Sequence, residues 1–429
     1  MAAEAFPKRL IIVQRQVEQL RALLAALVPA NAFYTAKFEA ARVHKKVSSL
    51  AHYFERFPFT TKDELAADQQ AHPPYGSNLT YPLPRYTRCH QTSGTTGAPL
   101  RWLDTPESWN WMLGNWEQVL RAAGVTGGDR IFFAFSFGPF IGFWLAFEAA
   151  LRLGCLCLPG GGLSSETRLR AILEQGATVL CCTPTYALHL GEVAAKENID
   201  LTASRVKLII VAGEPGGSIA STRACVEAHW SGARVFDHHG MTEVGPVSFE
   251  CPAQPGVLHI IENSYIAEVI EPTTGKPVEA GQSGELVLTT LGRTGSPLFR
   301  YRTGDLVKTS TDTVCACGRS DLALPGGILG RTDDMIIVRG VNVYPSAVEE
   351  IIRACGGVAE YRAQVSNVGS LTELAIQIEP SAAVTDAAIL ARNLEAAFVT
   401  AFALRVPVTI ASTGTLPRFE LKAKRWIRM

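Results

Sequence analysis

Apolar residues at Leu10, Val13, Val17, Leu20, Leu23 and Leu24 recur at helical spacing, and the pattern predicts helix over about 8–45. From about 105 to 235 the period alternates. Short apolar runs at Arg130–Phe135, Thr178–Cys182 and Leu208–Ala212 read as buried strands. Amphipathic runs at Trp109–Ala123, Ile141–Leu153 and Ser165–Gln175 read as the helices between them. That order predicts crossover units and a largely parallel sheet. From about 247 to 325 short strands with turn signals take over, such as Tyr265–Glu271 and Ser283–Thr289, and predict a barrel-like or mixed sheet. After Gly330 come a strand, a helix (Pro345–Ala354), a strand (Leu371–Glu379), a helix (Asp386–Phe402) and a strand, a small split βαβ layer. The expected class is α/β. A large N-terminal domain over 1–329 holds mixed parallel sheets, flanking helices and a barrel-like β subdomain, and a small α+β domain covers 330–429.

The length of 429 residues supports that division, because single cores stop growing at about 250–300 residues. Lys plus Arg and Asp plus Glu both number 40, so no global field favours nucleic acid or an acidic membrane. The start MAAEAFPKRL lacks the apolar core of a signal peptide. The apolar run Ile131–Leu158 is broken by Glu148, Arg152, prolines and glycines, which suits a buried strand–loop–helix rather than a membrane span. A cytoplasmic protein is expected. Ten cysteines without a secretory signal then read as thiols rather than a disulfide framework. Cys155, Cys157, Cys181 and Cys182 lie in apolar runs and suit packing, whereas Cys251, Cys315 and Cys317 sit among polar residues, glycines and prolines.

The most informative stretch is His90-Gln91-Thr92-Ser93-Gly94-Thr95-Thr96-Gly97, directly after a plausible strand at Arg85–Cys89. Glycines let the backbone turn its N–H groups inward, and such a nest attracts phosphate. The hydroxyls add donors without bulk. Neither a Walker A motif nor a Rossmann fingerprint fits, and by itself the stretch reads equally well as a surface loop. Later segments decide between these readings. They are Gly213-Glu214-Pro215, His239-Gly240-Met241-Thr242-Glu243, Arg300-Tyr301-Arg302-Thr303-Gly304-Asp305, Gly330-Arg331-Thr332-Asp333-Asp334, Arg339-Gly340-Val341-Asn342-Val343-Tyr344-Pro345-Ser346, and Leu416-Pro417-Arg418 followed by Lys422. In this chain order they resemble the adenylate-forming superfamily of acyl-CoA synthetases, adenylation domains and luciferases, most closely its phenylacetate–CoA ligase branch. The resemblance runs from about Thr60 to Lys424.

The resemblance implies an enzyme that activates a carboxylic acid with ATP as acyl-AMP and passes the acyl group to coenzyme A. Charge developing on phosphate calls for Mg²⁺ and cationic side chains more than for a general base. By resemblance, Ser93, Gly94, Thr95, Thr96 and Gly97 hold the β- and γ-phosphates, and Thr242 contacts the α-phosphate. Glu243 is the implied Mg²⁺ ligand, Asp305 the acceptor of the ribose hydroxyls, and Gly213, Glu214 and Pro215 the adenine lining. Taken singly, Glu243 also reads as a helix-terminal charge and Asp305 as a turn residue. Lys422 is the implied catalytic lysine, which swings in with a mobile C-terminal domain, and Lys424 is the runner-up. Asp333 resembles the hinge, and Gly340 lies on the loop through which pantetheine enters.

Three positions depart from the pattern. Ala98 stands where relatives place lysine, leaving Arg101 as the nearest cation in sequence; His239 replaces the usual tyrosine; and Leu421 replaces a glycine. An imidazole can still stack on adenine, and it is a side chain that titrates near neutrality.

Two further sets complete the reading. Cys251, His259, Cys315 and Cys317 offer three thiolates and one imidazole, the donor set of a closed structural Zn²⁺ site, against the alternative of four unrelated reduced side chains. Phe137, Phe140 and Ile141, with Pro184 and Tyr186, are the candidates for the acyl pocket, with core packing as the other reading of each. The expected substrates are an aromatic acid of the phenylacetate or benzoate type, ATP and CoA, and the resemblance allows a homodimer. The alternatives are a carrier-protein or amine acceptor, or a nucleotide-binding relative that has lost ligation.

Overall fold

The computed structural model of the chain describes residues 6–92, 99–339, 341–368, 371–419 and 423–428. Ser93, Gly94, Thr95, Thr96, Gly97, Gly340 and Lys422 lie outside the described residues.

A parallel sheet forms the middle of the large region, with strands in the order Leu156–Pro159, Arg130–Phe133, Val179–Cys182, Leu208–Val211, Arg234–Asp237. Alternate residues of a strand face opposite sides, so these strands feed two cores. Ile131, Phe133, Val179, Cys181 and Ile210 join the first, under helices Pro106–Ala122 and Trp144–Arg152. Phe132, Leu180, Cys182, Ile209 and Val235 join the second, under helices Ser165–Glu174, Pro184–Lys196 and Ala220–His229. Thr105, Ser164 and Thr183 cap three of these helices by accepting a backbone N–H of the first turn.

The helix expected over about 8–45 is two helices, Arg9–Leu27 and Ala32–Ala40. Pro29 has no N–H to continue the first and forces Val28 out of the helical region, while Asn31 caps the second by accepting from Tyr34. The expected helix at Ile141 begins only at Trp144, because Gly142 takes a left-handed φ of 36°.

The β-rich region is two antiparallel sheets. One runs Tyr265–Ile270, Ser283–Thr290, Tyr301–Lys308, Ile328–Arg331, and the other Ser248–Glu250, Val257–Ile260, Ala323–Pro325. The C-terminal α+β domain has its own core of Val343, Val348, Ile352, Ile376, Leu394 and Phe398. Its sheet runs Val408–Ile410, Leu371–Pro380, Val358–Val368, Trp426–Arg428, so the last strand pins the chain just after residues 420–422. Among the described residues no helix is long and apolar enough to cross a membrane.

Candidate active site

Among the described motif residues, His239, Asp305, Arg331 and Asp333 are linked to one another beside the antiparallel sheet. Asp305, buried on strand Tyr301–Lys308, has its Oδ2 3.0 Å from His239 Nε2 and its Oδ1 3.4 Å from Arg331 Nη1. Thr303 Oγ1 accepts the Asp305 backbone N–H at 3.0 Å and so fixes the carboxylate's base. Gly304 between them has φ 76°, and a Cβ there would lie 2.7 Å from Arg331 Nη2. His239, expected against adenine, is therefore also a direct neighbour of the expected ribose ligand. Its Nδ1 is buried with no hydrogen-bond partner among the described residues.

Thr242 and Glu243 are buried in the turn between strands Gly240–Met241 and Gly245–Pro246. Both backbone carbonyls accept from Arg293 Nη1 at 2.8 Å. The other face of the guanidinium is committed to Asp104, through Nε at 2.7 Å and Nη2 at 2.6 Å. Sequence reasoning passed over Arg293, because Asp104 lies 189 residues away and neither belongs to a recognisable motif. It also passed over Lys62, whose Nζ lies 3.5 Å from Glu243 Oε1. Lys62 opens helix Lys62–Ala71, and the signal that fixes it there is the capping box of Thr61 and Glu64. Arg101, the nearest cation in sequence to Ala98, instead donates to the Pro74 carbonyl at 2.8 Å.

Glu214, expected to line adenine, has both carboxylate oxygens bonded to backbone N–H groups. Its Oε1 accepts the Thr185 N–H at 2.9 Å, and its Oε2 accepts the Ala423 N–H, also at 2.9 Å. Gly213 before it has φ 98°, and a Cβ on Gly216 would lie 2.7 Å from Pro184 Cβ. Pro184 thus packs against Gly216, the residue that follows the Gly213-Glu214-Pro215 phrase. Asp333 is exposed and is held by Arg331 through bonds of 2.8 and 3.2 Å. One guanidinium therefore links the expected hinge to Asp305.

The acyl-pocket candidates separate. Phe137, Phe140 and Ile141 gather on the first core, where Phe137 packs edge-on against Trp144 at 4.7 Å and Phe140 against Phe135 at 5.4 Å. Tyr186 belongs to the second core, across the sheet, and its hydroxyl meets Ser165 at 2.9 Å and Arg168 at 2.6 Å. The cause is its place on the first turn of helix Pro184–Lys196, which turns that side chain beneath the sheet.

Cys251, His259, Cys315 and Cys317 come together, with their four donor atoms within 4.8 Å of one another. The two resolved pairs are Cys251 Sγ to Cys315 Sγ at 3.6 Å and Cys317 Sγ to His259 Nε2 at 3.4 Å. Two sulfurs each about 2.3 Å from one tetrahedral ion would stand about 3.7 Å apart. The donor set and its spacing fit Zn²⁺.

A buried carboxylate held by His239 and Arg331, a buried Thr-Glu turn and a C-terminal α+β domain accord with the adenylate-forming resemblance. The chain belongs to the AMP-binding enzyme family: the family profile for AMP-binding enzyme matches residues 39–292, and that for the AMP-binding enzyme C-terminal domain matches 340–428. Its relatives narrow this to AMP-forming acid–CoA ligases of the phenylacetate–CoA ligase kind. The phenylacetate-coenzyme A ligase of Thermus thermophilus is 33% identical over 85% of this chain and 81% of its own length. That of Pseudomonas putida is 30% identical over 96% and 92%. Among solved structures, 2-hydroxyisobutyryl-CoA ligase in the postadenylation state with R3-HIB-AMP is 27% identical, with TM-score 0.94 over 99% of this chain and 91% of its own. The same ligase with 2-HIB-AMP and CoA in the thioesterification state is 28% identical and covers the same shares, with TM-score 0.74.

Proposed function

We propose that this acyl-CoA ligase activates an aromatic carboxylic acid of the phenylacetate or benzoate type. The observation that carries the reading is the wall of aromatic edges formed by Phe135, Phe137, Phe140, Trp144 and Phe147, with centroids 4.7–5.5 Å apart. Such edges suit the faces of an aryl ring, and among the residues of that wall none carries a charge to bind a polar tail. The similarity to the phenylacetate-coenzyme A ligases points the same way.

In the first half-reaction the acid's carboxylate attacks the α-phosphorus of ATP, the bond to the β,γ-phosphates breaks, and acyl-AMP and pyrophosphate result. Asp305 orients the ribose by accepting its hydroxyls, Thr242 donates to the α-phosphate, and Ser93, Gly94, Thr95, Thr96 and Gly97 cradle the phosphates beyond. Lys422 bridges the attacking carboxylate and the phosphate oxygens. Glu243 would hold Mg²⁺, which supplies charge neutralisation on the phosphates when bound. With Ala98 in place of lysine, Lys62, 3.5 Å from Glu243, would supply a cation beside the expected Mg²⁺ ligand. The arrangement of the two domains, similar to a postadenylation relative, supports this as the adenylating disposition. Residues 330–429 then rotate about Asp333, bringing Gly340 to the pantetheine path, and the CoA thiolate displaces AMP from the acyl carbon. Cys251, His259, Cys315 and Cys317 would hold Zn²⁺, whose role is structural.

Acid-dependent exchange of pyrophosphate into ATP, measured across aryl, arylacetic and short aliphatic acids, tests the reading. Exchange strongest with an aryl or arylacetic acid supports it, and preference for a short hydroxy acid overturns it.

A further inference from the structure

We propose that Glu214 is a positioning residue for Lys422, holding the backbone of the segment that carries the lysine during adenylation; the inference rests on the role given to Lys422 above. Glu214 lies on the loop that follows strand Leu208–Val211, in the large region. Its Oε1 is anchored at the first turn of helix Pro184–Lys196 by the Thr185 N–H, 2.9 Å away. The free N–H groups and positive end of a helix favour a carboxylate there, so the group is fixed before the C-terminal domain arrives. Fixing one oxygen aims the other. Oε2 receives the Ala423 N–H at 2.9 Å. That amide is formed with the carbonyl of Lys422, so the bond acts one peptide plane from the lysine's own Cα.

Flanking contacts reach the same helix. Arg418 Nε lies 3.5 Å from Glu192 Oε2, and Arg425 Nη1 lies 3.5 Å from Thr185 Oγ1. Both arginines are fixed first within their own domain, Arg418 by Glu379 at 2.5 Å and Arg425 by Glu360 at 2.6 Å. The segment is thus tied to one helix before and after residues 420–422. Of these ties only the Glu214 bond is made to the backbone next to Lys422, and it is charge-assisted, its acceptor being a carboxylate. A change of domain arrangement that carried Ala423 away would have to break it, so Glu214 favours adenylation over the second half-reaction. A residue that only lined adenine would act on nucleotide affinity. One that sets the lysine's position acts on turnover.

The test uses the full chain, with phenylacetate as the acid and pyrophosphate exchange as the readout. In Glu214→Gln the amide keeps one acceptor oxygen for two N–H donors. Its kcat should fall roughly tenfold to a hundredfold, as a catalytic group misplaced by about 1 Å would cause, with KM for ATP within about twofold. Glu214→Asp retains two acceptor oxygens and should recover part of the rate. Ala423→Pro removes the donor, and the Glu214→Gln, Ala423→Pro double variant should be no slower than the slower single variant. A Glu214→Gln enzyme whose only change is a raised KM for ATP, or single-variant losses that multiply in the double variant, would overturn the proposal. Lys422→Ala is run beside them: exchange at the wild-type rate in that variant would overturn the role of Lys422 itself, whatever Glu214 does.

Discussion

Arg293 clasps Asp104 through two hydrogen bonds of 2.7 and 2.6 Å, and neither side chain exposes any surface to solvent. The remaining guanidinium nitrogen carries the Thr242-Glu243 turn. Replacing Arg293 with methionine leaves the Asp104 charge buried and alone, which costs about 3–5 kcal/mol. Urea denaturation should register that loss, and adding Asp104→Leu should return most of the stability but not the exchange activity, because the Thr242 and Glu243 carbonyls stay unheld. Full activity in the double variant would deny the turn its dependence on Arg293.

Lys62 faces Glu243 across 3.5 Å and is nearly half exposed. Its contribution is therefore modest: Lys62→Ala should lower kcat/KM for ATP about twofold to fivefold. The deficit should shrink in high salt, where the wild-type charge is screened as well. Equal kcat/KM at low salt would remove Lys62 from the phosphate side of the site.

The metal prediction is independent of catalysis. Elemental analysis of the purified protein should find about one zinc per chain, as four converging ligands bind one ion. Cys315→Ser should lose the metal and lower Tm by about 5 °C or more. Protein that carries no zinc and melts with the variant would show the four side chains to be reduced and unrelated.

Acid should destabilise the fold through buried histidines. Burial pushes the His238 pKa down to about 3 and that of His90 down to about 4. The unfolded chain binds their protons near pH 6.5, so between there and the folded values it holds more protons than the native state. Stability accordingly falls as pH drops through that window, by about 2 kcal/mol for His238 at pH 5. Urea midpoints from pH 7 to 5 should follow this slope, and His238→Gln should flatten it. An unchanged slope in the variant would place the acid sensitivity elsewhere.

How legible was this in the chain? The parallel strands were, because both faces of Arg130–Phe133 and Val179–Cys182 are buried and leave uninterrupted apolar runs. The residues with local motifs were too: His239 and Asp305 stand in compact phrases and meet at 3.0 Å. Relationships across the chain were not. Asp104 and Arg293, or Glu214 and Ala423, are joined only by the packing of separate units, and nothing in their neighbours announces it. Tyr186 follows a strand end and so reads as an acyl-pocket residue, but the first turn of its helix carries the ring to the opposite core. Periodicity likewise ran through Pro29, since the apolar stripe continues on both sides of the break.

The most direct test of the whole account is a single reaction mixture containing the enzyme, ATP, Mg²⁺, phenylacetate and CoA, with AMP, pyrophosphate and aryl thioester quantified together. The account predicts equal amounts of the three products, and pyrophosphate exchange that requires the acid but not CoA. ATP binding without acid-dependent exchange across the whole panel of aryl and arylacetic acids would contradict it.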